Sequence, residues 1–198
     1  MKWIFHFFSS QVPPVKTPII ERPLRLQVPP DFEAFLNSID WSQFEDGYGN
    51  SACIYDLPMN DLGIPSLPTL LRNLCSEDDD TRQDAVNDGI WGRICHQHTL
   101  YSASPFAGKA LLILLKTRSV VDLPGNTEAI AEDILRCLNW MWKCYTFNPD
   151  DRDFQYFSKA VEDHLETIES YHAHGVLRVR QEAETLSRSF REFHLPSP

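Results

Sequence analysis

The chain has 198 residues, 42% of them hydrophobic, with a formal net charge of −10 and a pI near 5.1. That length supports one domain with a core of its own, and that hydrophobic share excludes a disordered chain. An acidic surface repels phosphate backbones and anionic lipid, so nucleic acid and membranes are set aside and a basic protein partner is favoured.

Residues 1–30 carry Pro13, Pro14, Pro18, Pro23, Pro29 and Pro30 and read as extended chain, because proline lacks the amide donor and restricts its predecessor. Trp3, Ile4, Phe5, Phe7 and Phe8 make this stretch an apolar cap, either a short strand or a segment packed along the first helices. Its apolar run is too short for a signal-peptide core, and LLILLKT (Leu111 to Thr117) is too short to span a bilayer, so the expected location is cytoplasmic. A first helix is expected over Asp31 to Ile39, capped by Asp31, with Phe32, Phe35, Leu36 and Ile39 at spacings of three and four. The next stretch, DWSQFEDGYGNSACIYDLP, reads as a loop held by buried Trp41, Phe44 and Tyr48.

From Ile64 the pattern turns helical, with Leu67, Leu70, Leu71 and Leu74 on one face. SEDDDT breaks it and supplies a cap and first-turn acids for a helix from Thr81 to Ile94, with Val86, Ile90 and Ile94 inward. CHQHTLYSAS (Cys95 to Ser104) follows as a joint. Ser104-Pro105 then restarts a helix, serine as cap and proline at the first position, with Ala107, Ala110, Leu111, Leu114 and Leu115 as its face. Asn126 caps the next helix, which carries Ile130, Ile134, Leu138, Met141 and Trp142. Asn148-Pro149 opens another with Phe154, Phe157, Val161, Leu165 and Ile168. After Gly175 a last helix presents Val176, Val179, Ala183, Leu186, Phe190 and Phe193, and LPSP stops it. No segment after residue 60 alternates with period two, so the expected fold is all-α, a single domain over 1–198. The pairing of short and longer helices, about forty residues per unit, is the pattern of a helical-hairpin repeat.

Cys95, His96 and His98 put three possible metal ligands within four positions. Adjacent Cys95 and His96 chelate one ion awkwardly, and no further ligand stands at metal spacing. The joint therefore reads as structural, with His96, Gln97, Thr99 and Tyr101 satisfying groups left open at helix ends. Glu169 and His172 have the ExxH spacing of di-iron bundles, but such a site needs two such motifs and two further glutamates. His164, His172 and His174 read as solvent-facing or as caps near Gly175. The five cysteines are odd in number and form no CxxC pair, which points to reduced, buried thiols. With no nucleophile elbow and no Gly-rich phosphate loop, the expectation is a protein that is not an enzyme and uses no cofactor and no metal. The acidic clusters are Glu45-Asp46, Glu77 to Asp80 with Asp84 and Asp88, and Asp150-Asp151 with Asp153. They read either as first-turn acids on solvated faces or as a surface that meets a basic partner.

The segment from residue 40 to about 117 also resembles a group of bacterial HEAT-repeat proteins. The residues that carry the likeness are Asp40-Trp41, Tyr48-Gly49, the Pro68 to Leu74 helix, the acidic turn Asp78-Asp79-Asp80-Thr81-Arg82, and the joint His96-Gln97-His98-Thr99-Leu100-Tyr101-Ser102-Ala103-Ser104. His98 stands where that group usually has glycine, and Gly108-Lys109 where it usually has valine-proline. The resemblance implies a short α-solenoid of HEAT-like hairpins over 31–147, with an extended N-terminal cap (1–30) and a C-terminal helical hairpin (148–198). It also implies an immunity protein that neutralises a cognate bacterial toxin by occluding its active site or substrate cleft. The partner-binding residues would be Glu45, Asp46, Asp78, Asp79, Asp80, Asp84 and His98. The alternative is a HEAT-repeat adaptor or scaffold with no toxin partner; a metal-dependent enzyme built on the joint is the third reading.

Overall fold

A computed structural model describes residues 27–52, 65–95, 99–122 and 130–194. Within them the chain is helical almost throughout: α1 (Pro30–Ser38), α2 (Leu67–Asn73), α3 (Asp79–Asp84), α4 (Ser104–Leu115), α5 (Arg118–Val121), α6 (Ile130–Tyr145), α7 (Arg152–Asp163), α8 (Leu165–Glu169) and α9 (Leu177–His194). Helix α3 runs without a break into a wider, π-type helix over Ala85–Ile94. Among the described residues the strand content is one hairpin of two-residue strands, β1 (Glu45–Asp46) and β2 (Gly49–Asn50), inside the stretch expected to be a loop. The protein is thus all-α. None of the described helices is long and apolar enough to cross a membrane.

Helix α4 organises the packing. Its sequence is apolar on nearly every side, and a helix apolar all round must be surrounded. Leu111, Leu112, Leu114 and Leu115 are all buried, and α4 touches α1, α2, the π-type helix, α5, α6 and α7. Gly108 is the point of closest approach. A Cβ there would sit 2.7 Å from Met141 Cε and 2.8 Å from Phe157 Cε2, so α6 and α7 close on α4 only because that side chain is missing. Lys109 beside it holds its ammonium 5.4 Å from the Phe35 ring centre and 5.3 Å from that of Tyr156, a cation stacked between two aromatic faces.

Helix α6 lies along α9, whose inward residues Val179, Ala183, Leu186 and Phe190 keep the expected spacing of three and four. At their shared end Trp142 is ringed by Phe154, Phe190 and Phe193, with centroids 5.5, 5.4 and 5.7 Å away. Such pairs add to the burial of area that already dominates core stability.

Several boundaries move for local reasons. Pro30 starts α1, so Asp31 lies inside its first turn and is no cap. Asp151, not Asn148, caps α7, its carboxylate accepting the Asp153 N–H at 2.8 Å. Ser104 is the first residue of α4 and faces inward instead of capping it. Val176 precedes α9 and is exposed. Asn126 and Ile64 lie outside the described residues, as do residues 1–26 of the expected cap.

Candidate functional site

The hairpin β1–β2 is built from short-range chemistry. Asp40 accepts the Ser42 N–H, the Ser42 hydroxyl at 2.6 Å and the Gln43 amide at 2.8 Å, which turns the chain after α1 and holds the Asp40 carboxyl below its usual range. Trp41 then points inward and donates its indole N–H to the Leu36 carbonyl at 2.9 Å. Gly49 sits at φ 110°, a backbone region that favours glycine. The hairpin delivers Asp46 to Arg93 at 2.7 Å, with both side chains 0% exposed. Asp46 also accepts the Tyr48 N–H at 2.9 Å. The Tyr48 ring lies outside, 44% exposed and 5.5 Å from the Arg93 guanidinium carbon, so it is not the buried anchor that was expected.

The joint closes on this hairpin. Glu45 donates its N–H to Ser102 Oγ at 2.8 Å, and its carbonyl accepts the Ala103 N–H at 2.9 Å. Gly47 donates to the Arg93 carbonyl. Ser104 Oγ donates to the Ile94 carbonyl and accepts the Tyr101 N–H, both at 2.8 Å. The open carbonyl at the helix end is thus met by Ser104, while Ser102 ties the joint to the hairpin. Thr99 is exposed and Tyr101 takes part through its backbone, contrary to the role expected of both. Their small side chains and hydroxyls were the signal: a serine can bond backbone at close range where a longer side chain cannot. His96, Gln97 and His98 lie outside the described residues.

The acidic residues separate into two kinds. Asp46 is a buried ion-pair partner and cannot meet a partner protein, which corrects its place among the expected contacts. Asp79 is half-buried and paired with Arg82 at 2.6 Å. Asp78 caps α3, accepting the Thr81 N–H at 2.8 Å and the Thr81 hydroxyl at 2.7 Å; these bonds hold its carboxyl below the usual range. It remains exposed, as do Glu45, Glu77, Asp80, Asp84 and Asp88. Asp80, Asp84 and Asp88 follow at four-residue intervals, which keeps them near one side of the helix.

The charge balance explains why this side carries one sign. Residues 27–95 contain thirteen Asp and Glu and three arginines, which accounts for the whole net charge of −10; the rest of the chain sums to zero. All three arginines are engaged internally, Arg72 with Glu33 at 2.8 Å, Arg82 with Asp79 and Arg93 with Asp46. The Arg72 guanidinium hydrogen-bonds Glu33 and lowers its carboxyl from the usual value. No lysine occurs in this stretch, and its three arginines are each paired with one of its own carboxylates, so its remaining acids outnumber its cations at the surface.

The second half mixes its charges: Lys159 pairs with Glu162 and Asp163, and Arg191 with Glu169. Asp150, Asp151 and Asp153 stand among these, two exposed and one half-buried. His172 bonds Ser187 at 3.0 Å and His174 bonds Asp122 at 3.2 Å. His164 is buried, not solvent-facing; its Nδ1 bonds the Ala160 carbonyl at 2.9 Å and burial lowers its pKa. Among the described residues no three His, Cys, Asp or Glu side chains stand close enough to hold a metal ion. Compared with known protein families, curated proteins and solved structures, the chain matches none.

Proposed function

We propose that this chain is an immunity protein that neutralises a cognate bacterial toxin by laying its acidic side over the toxin's cationic substrate cleft. The observation that carries the reading is the charge segregation of residues 27–95, where every arginine is consumed in an internal ion pair while Asp80, Asp84 and Asp88 stay exposed. A surface of one sign raises the association rate with an oppositely charged cleft and disfavours acidic competitors. In this reading α2 and the helix from Asp79 to Ile94 form one HEAT-like hairpin of a short α-solenoid. The joint at 95–104 turns the chain into the next, and the acidic side is the binding face.

The test is co-expression with the product of the neighbouring gene, followed by purification of the complex. Wild-type chain is expected to protect the cell and to co-purify. The triple variant Asp80→Lys, Asp84→Lys, Asp88→Lys is expected to slow association about tenfold or more at low salt, with the gap narrowing as salt is added. Cell death despite a soluble wild-type chain, with no complex formed, rejects the proposal. Recovery of a housekeeping protein in its place favours a scaffold with no toxin partner.

A further inference from the structure

The joint carries a second feature. Cys95 Sγ lies 3.5 Å from Cys137 Sγ, one sulfur at the end of the π-type helix and the other in the middle of α6. The two residues are 42 positions apart, so this contact is made by the fold and not by local sequence. A disulfide sulfur pair is about 2.05 Å apart, so bond formation asks for an approach of about 1.5 Å, within the reach of side-chain rotation at an inter-helix contact. Cys95 also forms part of the wall of a surface groove of about 500 Å³, together with Trp91, Trp140, Arg136 and Lys143. Cys137 lies behind it, fully buried.

Cys95 is itself only 4% exposed, but the groove sets it apart from a thiol sealed in the core. The groove offers a path for a small molecule to the sulfur. Cys137 is different: its hydrogen bond with Cys95 and its burial raise its thiol well above the ordinary value. Cys75 supplies the contrast within the same chain, a thiol in the core pushed up to about 12 by burial.

We propose that Cys95 and Cys137 form an oxidation site that reacts with a small hydroperoxide, Cys95 as the attacking thiol and Cys137 as the resolving one. The Cys95 thiolate attacks the terminal peroxide oxygen; the O–O bond breaks and the leaving oxygen takes a proton. Cys95 is left as a sulfenic acid, and the peroxide is reduced to an alcohol, or to water if it is hydrogen peroxide. The Cys137 sulfur then attacks the Cys95 sulfur, the S–O bond breaks, and hydroxide leaves with the Cys137 proton as water. Two thiols supply the two electrons that the peroxide accepts. The cross-link ties the start of the joint to α6, and so fastens the acidic half of the molecule to the aromatic half.

Hydrogen peroxide on the full reduced chain is the probe, read by intact mass, by peptide mapping without reductant and by thermal unfolding. The expected result is loss of two hydrogens per chain, a Cys95–Cys137 cross-linked peptide, reversal by dithiothreitol, and a rise in Tm of about 5–10 °C. In Cys137→Ser the cross-link is expected to vanish and a sulfenic acid on Cys95 to become trappable by dimedone. The wild-type peptide map needs no variant, so a poorly folded Cys137→Ser leaves the test intact. A map in which Cys95 and Cys137 both remain alkylatable after peroxide, or in which Cys95 is joined to Cys144 instead, overturns the proposal.

Discussion

Around Arg93 the molecule is held by charge and hydrogen bonds; around Trp142 it is held by rings. In the first region a two-residue-strand hairpin, two serine hydroxyls and the buried Asp46–Arg93 pair fasten the joint, and the remaining acids turn outward. In the second, Trp142 packs among Phe154, Phe190 and Phe193, and surface charges pair with opposite neighbours along their own or adjacent helices. The difference has a consequence for function. A region that spends its only cations on pairs with its own carboxylates leaves its remaining acids uncompensated at the surface, while a region stabilised by apolar area can keep both signs outside. A buried ion pair is a costly way to hold a fold, since its desolvation offsets much of its attraction. What the pair achieves here is to fix the hairpin against one helix while removing Arg93 from the surface.

The sharpest way to break the comparison is to delete the anchor of each region. Asp46→Ala leaves the Arg93 guanidinium buried without its carboxylate and is expected to cost about 3–5 kcal/mol in urea unfolding. Trp142→Ala is expected to cost a similar amount, about 3–5 kcal/mol, through lost area and a cavity. The two regions then separate at the next step. Adding Arg93→Met to Asp46→Ala is expected to recover part of the loss, because both charges are gone, whereas no second truncation near Trp142 restores its packing. Equal losses in the single variants with no recovery in the double would show that charge is not what distinguishes the first region.

A smaller effect is expected at the helix crossing between the regions. Gly108→Val places new carbon against Met141 and Phe157 and is expected to lower stability by about 1–3 kcal/mol, measured by the same unfolding midpoint. An unchanged midpoint would mean that α6 and α7 can move away from α4 without loss.

The smallest effect concerns pH. Burial depresses the His164 pKa in the folded state, so between the ordinary value of 6.5 and that lower value the unfolded chain binds the extra proton. Stability from this source is fully present above pH 6.5 and falls as the pH is lowered through the folded-state value. The unfolding midpoint is expected to drop from pH 7.5 to pH 5.5, and the drop to shrink in His164→Gln. An identical pH dependence in that variant would assign the effect to other groups.

Helix existence and inward faces were legible in the sequence wherever the period was strong, as in Val179, Ala183, Leu186 and Phe190 of α9. Helix starts were less so, because Pro30, Ser104 and Asp151 compete with neighbours that offer similar capping chemistry. Among the candidate site residues, the exposed positions of Asp80 and Asp84 follow from their place on the outer side of an amphipathic helix. Asp46 could not be separated from Glu45 by such reasoning: strand alternation puts adjacent side chains on opposite faces, and only the hairpin register decides which turns inward.

By itself the sequence determined the all-α class, the acidic balance and the punctuation by proline, glycine and acidic turns, because these depend on composition and on periods of a few residues. The tertiary structure decided that Arg93 meets Asp46 across 47 positions and that Cys95 lies against Cys137. It also decided that Gly108 is where α6 and α7 press on α4. These depend on how whole helices cross, and no local pattern encodes which buried faces will touch.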